Sequence, residues 1–227
     1  AATVAVTGIY NWTIPDNLSL SARVKVTDAT DSSVYDESNG DFKIRGVLTL
    51  TSPNGNETWT VGSAKNITWT RAGTVVAVKL EYSTNGGSTY PNTVVASTDA
   101  ATGTYTWAIP DVIGSQVRVR VSDTTDPTTV YDTSDNNFSI KGVITLLSPN
   151  GNESWEVASN HNVTWTLSGT IANVKLEYST DAGLSYPNTI VATTAASAGT
   201  YSWPVPDSID NDIRVKVTNL SDSAVND

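Results

Sequence analysis

The chain has 227 residues, no cysteine, no methionine and a formal net charge of −10. The absence of cysteine excludes disulfides, iron–sulfur clusters, thiolate zinc sites and thiol catalysis, and the acidic balance disfavours nucleic-acid binding. No apolar run is long enough to span a membrane. Because methionine is absent, we expect residue 1 not to be an initiator and the chain to be processed or part of a longer one.

An internal repeat organises the sequence. Residues 46–122 and 142–218 align without a gap at a spacing of 96, and 45 of these 77 positions are identical. The repeat predicts three domains: the C-terminal part of a repeat (strands D to G) at 1–45, a complete repeat at 46–141, and a repeat lacking its last strand at 142–227. We call these the first, second and third repeats.

Apolar residues alternate along each repeat, and this period of two predicts β-strands. Turn signals such as Pro53-Asn54-Gly55 and Pro110-Asp111 separate the strands, and we expect most of the seven tryptophans to lie in cores. The apolar rows amount to about seven short strands per repeat, which is typical of a seven-stranded immunoglobulin-like β-sandwich. In chain order, the predicted strands of the second repeat carry Leu48/Leu50, Trp59/Val61, Ile67/Trp69, Val78/Leu80/Tyr82, Val94/Val95, Tyr105/Trp107/Ile109, Val117/Val119/Val121 and Phe138/Ile140.

The hairpin after the fourth predicted row, and its copy in the third repeat, carry Ser-x-Asn/Asp-x-Gly-x-x-Tyr, which resembles the Asp-box of sialidases and other secreted glycan-handling proteins. Asn85 or Asp181 can bond the turn backbone, and Gly87 or its counterpart tolerates a positive φ. We therefore interpret the box as a hairpin turn. Tyr90 and Tyr186, which follow it, remain candidates for ligand contact.

The connection between repeats is short. A single glycine, Gly46 or Gly142, separates the last predicted strand of one repeat from the first strand of the next. Without a flexible linker, neighbouring domains should be held end to end in a linear, rod-like array. An incomplete sandwich exposes an apolar face and unpaired edges, so we expect the partial repeats to be completed by more of the same chain or by neighbouring subunits.

The motifs SPNGNETWTVGSAKNITWT, VKLEYST, GTYTWAIPD, VRVRVSD and NNFSIK resemble the Ig-like domain of Ser/Thr-rich, GPI-anchored fungal cell-wall proteins. They are also similar to tandem Ig-like repeats of large bacterial and archaeal surface proteins. The resemblance covers essentially the whole chain. It implies a β-sandwich module of extracellular or cell-surface proteins and carries no catalytic residue.

Catalysis and cofactors find little support in the sequence. His161 is the only histidine, and Lys65 occupies its place one repeat earlier. The recurring acids lie in turns, with no spacing that demands a shared cleft for glycoside hydrolysis. We expect no enzyme activity and no cofactor other than calcium, for which oxygen-rich loops provide candidates. The candidate ligands are Asp28, Asp31, Asp36, Asp123, Asp126 and Asp132.

The function that these features favour is that of a structural repeat in an extracellular fibre, stalk or surface filament, with other copies of the repeat or subunit as partners. The alternative is an adhesin or carbohydrate-binding repeat of a cell-surface protein that contacts a glycan or another surface ligand. Eight sequons are candidate glycosylation sites: Asn11, Asn17, Asn56, Asn66, Asn137, Asn152, Asn162 and Asn219.

Overall fold

A computed structural model describes residues 3–210 and 212–227 and confirms the all-β class. Three short 3-10 turns occur at Ala5–Thr7, Ala100–Thr102 and Ala196–Ala198. The strands are β1 (Ser19–Ala22), β2 (Lys25–Thr27), β3 (Tyr35–Glu37), β4 (Phe42–Ile44), β5 (Val47–Ser52), β6 (Thr58–Thr60), β7 (Ala64–Ala72), β8 (Ala77–Ser83), β9 (Asn92–Asp99), β10 (Thr104–Ala108), β11 (Gly114–Asp123), β12 (Tyr131–Thr133), β13 (Phe138–Lys141), β14 (Val143–Ser148), β15 (Asn160–Ser168), β16 (Asn173–Ser179), β17 (Asn188–Ala195), β18 (Thr200–Pro204) and β19 (Arg214–Asn219).

The chain divides into two compact units whose limits differ from those of the sequence repeats. Strands β7, β10 and β11 each pass from one unit into the other. The division into three repeat domains therefore stays a prediction. The first unit comprises Ala1–Gly55, Asn66–Tyr105 and Arg118–Asn136, and the second comprises Asn56–Lys65, Thr106–Val117 and Asn137–Asp227.

In the first unit, the alternation of apolar residues produces antiparallel pairs. Strand β8 lies between β9 and the second half of β11, with Leu80 opposite both Val95 and Val121. Strand β5 pairs with β7, where Leu50 lies opposite Trp69. The inward rows predicted from the sequence are confirmed in this unit for most of their residues, while Tyr82, Val94, Val95 and Tyr105 are only half-buried. The buried residues are Leu48, Leu50, Ile67, Trp69, Val78, Leu80, Val119 and Val121.

The first 45 residues depart from the predicted core. They form two separate two-stranded sheets, β1 with β4 and β2 with β3. Trp12, expected to be buried, is 43% exposed. Its ring contacts the Phe42 ring in a T-shaped arrangement, with 6.3 Å between the ring centroids. Val26 and Tyr35 are exposed as well. Most of the seven tryptophans lie in cores, as predicted, and Trp12 is an exception because no opposing sheet covers these strands among the described residues.

In the second unit, β14, β15 and β18 form one antiparallel sheet, and β17, β16 and β19 form another. Both sheets contribute to one hydrophobic cluster, in which Trp165 from β15 lies with Leu176 from β16 and Val217 from β19. The Trp165 indole N–H donates to the carbonyl of Ala196 at 2.8 Å, so its polar atom is satisfied inside the core. Two three-stranded sheets that share a core make a β-sandwich.

The second unit also contains a parallel strand pair. Strand β13 runs parallel to β6, with Ile140 opposite Trp59, and antiparallel to the first part of β11, with Phe138 opposite Val117. Phe138 and Ile140 are almost completely buried. The Trp59 ring lies 5.0 Å from Phe138 and 6.1 Å from Trp107, centroid to centroid. This aromatic cluster anchors β6.

Candidate functional site

The first Asp-box turn joins β8 to β9 and is held by its own side chains. The buried Ser83 hydroxyl accepts the backbone N–H groups of Asn85 at 3.2 Å and Gly87 at 2.9 Å. The Asn85 amide oxygen accepts the N–H of Thr89 at 3.1 Å. Gly87 adopts φ +87°, a left-handed conformation that glycine accepts without strain. The prediction that the box closes a hairpin is confirmed.

The second copy, between β16 and β17, uses a carboxylate for the same purpose. Asp181 accepts the Ser179 hydroxyl at 2.5 Å, the Ser185 hydroxyl at 2.6 Å and the Ser185 N–H at 2.9 Å. These bonds, that from Ser179 first, lower the pKa of Asp181 from 3.8 to about 2. The turn therefore carries a charge that the Asn85 turn lacks.

The box also positions the tyrosine that follows it. A Cβ atom at Gly87 would lie 3.0 Å from both the Tyr90 hydroxyl and Cδ of Arg118. Both corresponding distances in the third repeat are 3.1 Å. Each tyrosine hydroxyl thus lies close to the box glycine and to an arginine of the neighbouring strand, and both Tyr90 and Tyr186 are half-buried. Burial raises the pKa of the Tyr90 phenol. A phenol keeps its proton at neutral pH even at its ordinary pKa, so Tyr90 can donate a hydrogen bond.

A pocket of about 360 Å³ opens beside Tyr90, and we call it the basic–aromatic pocket. The guanidinium carbon of Arg120 lies 4.9 Å from the Tyr90 ring centroid and 5.9 Å from that of Tyr131. Cation–π attraction therefore helps to hold Arg120 between the two rings. The pocket is lined by Gly87, Ser88, Thr89, Tyr90, Arg118, Arg120, Tyr131 and Thr133.

Glu81 on β8 pairs with Arg120, one of the residues that line this pocket. The alternation along β8 places Glu81 on the outward face of the strand, yet Glu81 is only 6% exposed. Lys79 approaches one carboxylate oxygen at 2.6 Å, and Arg120 donates to the other at 2.6 and 3.2 Å. Burial would raise the pKa of Glu81, but these two cations outweigh it and hold the pKa below its usual value.

The candidate calcium ligands hold their own loops. Asp28 accepts the N–H and the hydroxyl of Thr30, and Asp123 accepts those of Thr125, all at 2.8 Å. Asp31 accepts the N–H and hydroxyl of Ser33 in the same way. Such bonds are ordinary for aspartates in turns.

The other three candidates have different surroundings. Asp36 is exposed on β3, Asp126 pairs with Arg45, and Asp132 accepts the N–H of Leu50 at 2.7 Å. Within residues 3–210 and 212–227, no three acidic or histidine side chains are grouped so that they could hold a metal ion. Calcium binding stays a prediction, and among the described residues these carboxylates are not grouped into a set of ligands.

A hydrogen-bonded contact between an aspartate and a threonine, which the sequence did not single out, recurs where one repeat meets the next. Asp16 accepts the backbone N–H of Thr74 at 2.7 Å and its hydroxyl at 2.6 Å. Asp111, one repeat later, accepts the N–H of Thr170 at 3.0 Å and its hydroxyl at 2.5 Å. The threonine hydroxyl, then its N–H, lowers the pKa of each aspartate. We call this the Asp–Thr contact.

Glycine makes the close approach at the Asp–Thr contact feasible. Gly169 adopts φ +89°, and a Cβ there would lie 3.2 Å from the Asp111 carboxylate and 3.0 Å from Val61. A Cβ at Gly142, the residue between two strands, would lie 3.0 Å from Ile171 and 3.1 Å from Ile113. Ile113 and Ile171 therefore lie close to Gly142, beside the Asp111–Thr170 hydrogen bonds. Gly73 and Gly46 occupy the same places one repeat earlier.

An ion pair also recurs at each of these places. Arg45 contacts Asp126 and Lys141 contacts Asp222, each at 2.9 Å. A hydrogen bond from Lys141 is the main cause that lowers the pKa of Asp222. The signal for these residues was present, since Pro-Asp, Gly-Thr and a basic residue before glycine all recur between the repeats. Only the structure shows which of them meet.

The sequons differ in access. Six of the eight asparagines are exposed, Asn137 is half-buried, and Asn219 is 5% exposed with its side-chain oxygen bonded to the N–H of Ser221. A glycan on Asn219 would require this turn to open. Glycosylation at the other seven stays a prediction.

Comparisons with known proteins give only distant structural neighbours. No protein-family model and no curated protein matches the chain. Clostridium thermocellum CbhA fibronectin(III)-like modules align with 16% identity over 78% of this chain and 88% of theirs, at a TM-score of 0.28. Dpr11 IG1, in its complex with DIP-gamma IG+IG2, aligns with 9% identity over 70% of this chain and 84% of that one, at 0.26. Among the described residues, no helix has the length and apolarity needed to cross a membrane.

Proposed function

We propose that this chain is a structural repeat segment of an extracellular fibre, stalk or surface filament, made of seven-stranded Ig-like domains stacked end to end. The observation that carries the proposal is the Asp–Thr contact, because it occurs with the same atoms at Asp16–Thr74 and at Asp111–Thr170. A contact repeated at both junctions of this chain suits a polymer of one module. An isolated recognition site would need it only once.

Two attachments at each junction oppose hinge motion. At the second junction, the Asp–Thr contact joins Asp111, after β10, to Thr170, after β15. The ion pair joins Lys141, at the end of β13, to Asp222 in the loop after β19. Asp16–Thr74 and Arg45–Asp126 are the counterparts at the first junction. A single glycine offers little chain length to absorb movement between them. Flexible linkers are longer and rich in glycine and serine. The role we assign is therefore mechanical and non-catalytic.

An acidic, cysteine-free surface rich in threonine suits an extracellular location, since net charge keeps an assembly soluble. Completion by neighbouring repeats or subunits is part of the proposal. Residues 154–156 of the third repeat carry the sequence of a strand without a paired neighbour in the described chain, and added strands are a common way to complete a sheet edge.

A binding role of the adhesin type is the second candidate, and the basic–aromatic pocket favours it. The pocket opens beside Tyr90, one of the two tyrosines that the sequence singled out. Binding and mechanical roles are compatible in one surface array.

Small-angle X-ray scattering tests the mechanical proposal. We expect the intact chain to give an extended, rigid particle, and the double variant D111A/K141A to give a broader distribution of shapes because both attachments at one junction are lost. Glu156→Gln, an exposed change whose side chain takes no part in either attachment, serves as the control. A wild-type profile as broad as that of the double variant would refute a fixed junction.

A further inference from the structure

The basic–aromatic pocket concentrates positive charge on a strongly acidic chain. Arg118, Arg120 and Lys79 lie on this face with Glu81 as the buried counter-charge, whereas the whole chain has a formal net charge of −10. Glu81 engages Nε and Nη2 of Arg120. A guanidinium has five N–H donors, so Arg120 keeps further donors for a ligand.

Aromatic and hydroxyl groups surround these cations. Tyr131 is 48% exposed, and its ring borders the same opening as Tyr90. Ser88, Thr89 and Thr133 line the remaining wall. The Ser88 hydroxyl donates to the Asn85 carbonyl, the Thr89 hydroxyl accepts from the Asn85 amide, and the Thr133 side chain bonds Tyr90. Arginine matches a planar carboxylate with two parallel hydrogen bonds, hydroxyls match sugar hydroxyls, and an exposed tyrosine ring can pack against the C–H face of a sugar.

We propose that the basic–aromatic pocket binds a uronic-acid residue of an acidic polysaccharide, with Arg120 on the carboxylate and Tyr131 against the ring. The volume of about 360 Å³ lies at the lower end of the range for small-molecule sites, which suits one or two sugar rings of a longer chain. This inference rests on the binding role proposed above as the second candidate. It is independent of the mechanical role, since it concerns the pocket of the second repeat and not the junctions.

The third repeat provides an internal comparison. Lys216 stands in place of Arg120 and lies 4.3 Å from the Tyr186 ring, and Asn226 stands in place of Tyr131. Lysine cannot form the bidentate contact with a carboxylate, and asparagine offers no ring. The third repeat therefore keeps the box and the first tyrosine but lacks the two groups that we assign to recognition.

The test is an NMR titration of the full chain with hexagalacturonate, with maltohexaose as a neutral oligosaccharide and hexaglutamate as an acidic peptide. We expect hexagalacturonate to shift the amide signals of residues 87–90 and 131–133, and added salt to weaken the effect. Maltohexaose and hexaglutamate should bind far more weakly, because maltohexaose has no carboxylate for Arg120 and hexaglutamate has no sugar ring for Tyr131.

The decisive variant is R120K/Y131N, which gives the second repeat the residues that the third repeat already accommodates. We expect its affinity for hexagalacturonate to fall at least about tenfold, with an unchanged spectrum elsewhere, and Lys43→Gln to bind like the wild type. Equal affinity in R120K/Y131N, shifts confined to other surfaces, no response to hexagalacturonate, or equal binding of hexaglutamate would each overturn the proposal.

Discussion

Residues 57–61 (ETWTV) and 153–157 (ESWEV) have closely similar sequences but different structures. The first segment contains strand β6, which pairs with β13, and Trp59 is 7% exposed. The second contains no strand, and Trp155 is half-buried and stacks on His161 at 4.4 Å between ring centroids.

The difference has an identifiable cause. Beside the second-repeat segment lies β13, whose main chain exchanges hydrogen bonds with it, such as Ser139 N–H to Glu57 O at 2.9 Å. Phe138 also packs against Trp59. Within residues 142–227, the described chain offers no such strand beside Trp155. Pairing with a distant segment therefore decides whether this sequence becomes a strand, in keeping with the dependence of β-propensity on context.

The largest expected change in stability comes from replacing each of the two tryptophans, Trp59 and Trp155, by alanine. We expect Trp59→Ala to lower the free energy of unfolding by about 3–5 kcal/mol, as is typical for a large aromatic in a core. Trp155→Ala should cost about half of that or less, because part of its surface is already solvated. Native-state hydrogen exchange, which resolves the two regions, measures both. Equal losses would contradict the comparison.

The converse experiment supplies the missing neighbour. Appending the sequence of Thr133–Lys141 after Asp227 continues the third repeat as the second one continues after Asp132. We expect residues 154–156 to gain exchange protection and the fluorescence of Trp155 to shift to the blue, because the added Phe-x-Ile segment can bury it.

A control for this extension replaces both apolar residues of the added segment by serine, which removes the burial but keeps the length. Protection at 154–156 that is equal for the two extensions, or absent from both, would show that β13 is not what makes β6 a strand.

The smallest effect concerns the two Asp-box turns. The folded pKa of Asp181 is about 2, below the value of 3.8 for the unfolded side chain. Its charge therefore stabilises the fold fully above pH 3.8, and this contribution is lost as the pH falls towards 2. We expect the stability difference between wild type and Asp181→Asn to shrink over this window.

Urea denaturation at a series of pH values measures that difference, and Asn85→Asp gives the matched change in the second repeat. Asn85→Asp should acquire a pH-dependent contribution in the same window. A difference between wild type and Asp181→Asn that stays constant from pH 5 to 2 would contradict the assigned bonds.

The alternation of apolar residues sufficed to predict the strands and their inward rows, because a period of two directly reports one buried face. It could not reveal that Glu81 is buried, since its cover comes from Arg120 on another strand. The exposure of Trp12 has a similar origin, because burial requires an opposing sheet. Local periodicity describes a strand, and these two outcomes depend on its neighbours.

The junction shows the same limit. A single glycine between strands predicted restricted motion, and Asp111 was recognised only as a turn residue. That it bonds Thr170, 59 positions away, depends on two turns whose meeting no local pattern encodes. The basic–aromatic pocket was anticipated only through Tyr90, because Arg120 and Tyr131 join it by strand pairing.

The most direct measurement of the central claim is the set of residual dipolar couplings of the second and third repeats in the intact chain. A junction held by the Asp–Thr contact and the Lys141–Asp222 pair predicts one shared alignment tensor for both repeats. We expect two separate tensors in D111A/K141A. Two independent tensors in the wild-type chain would contradict the account.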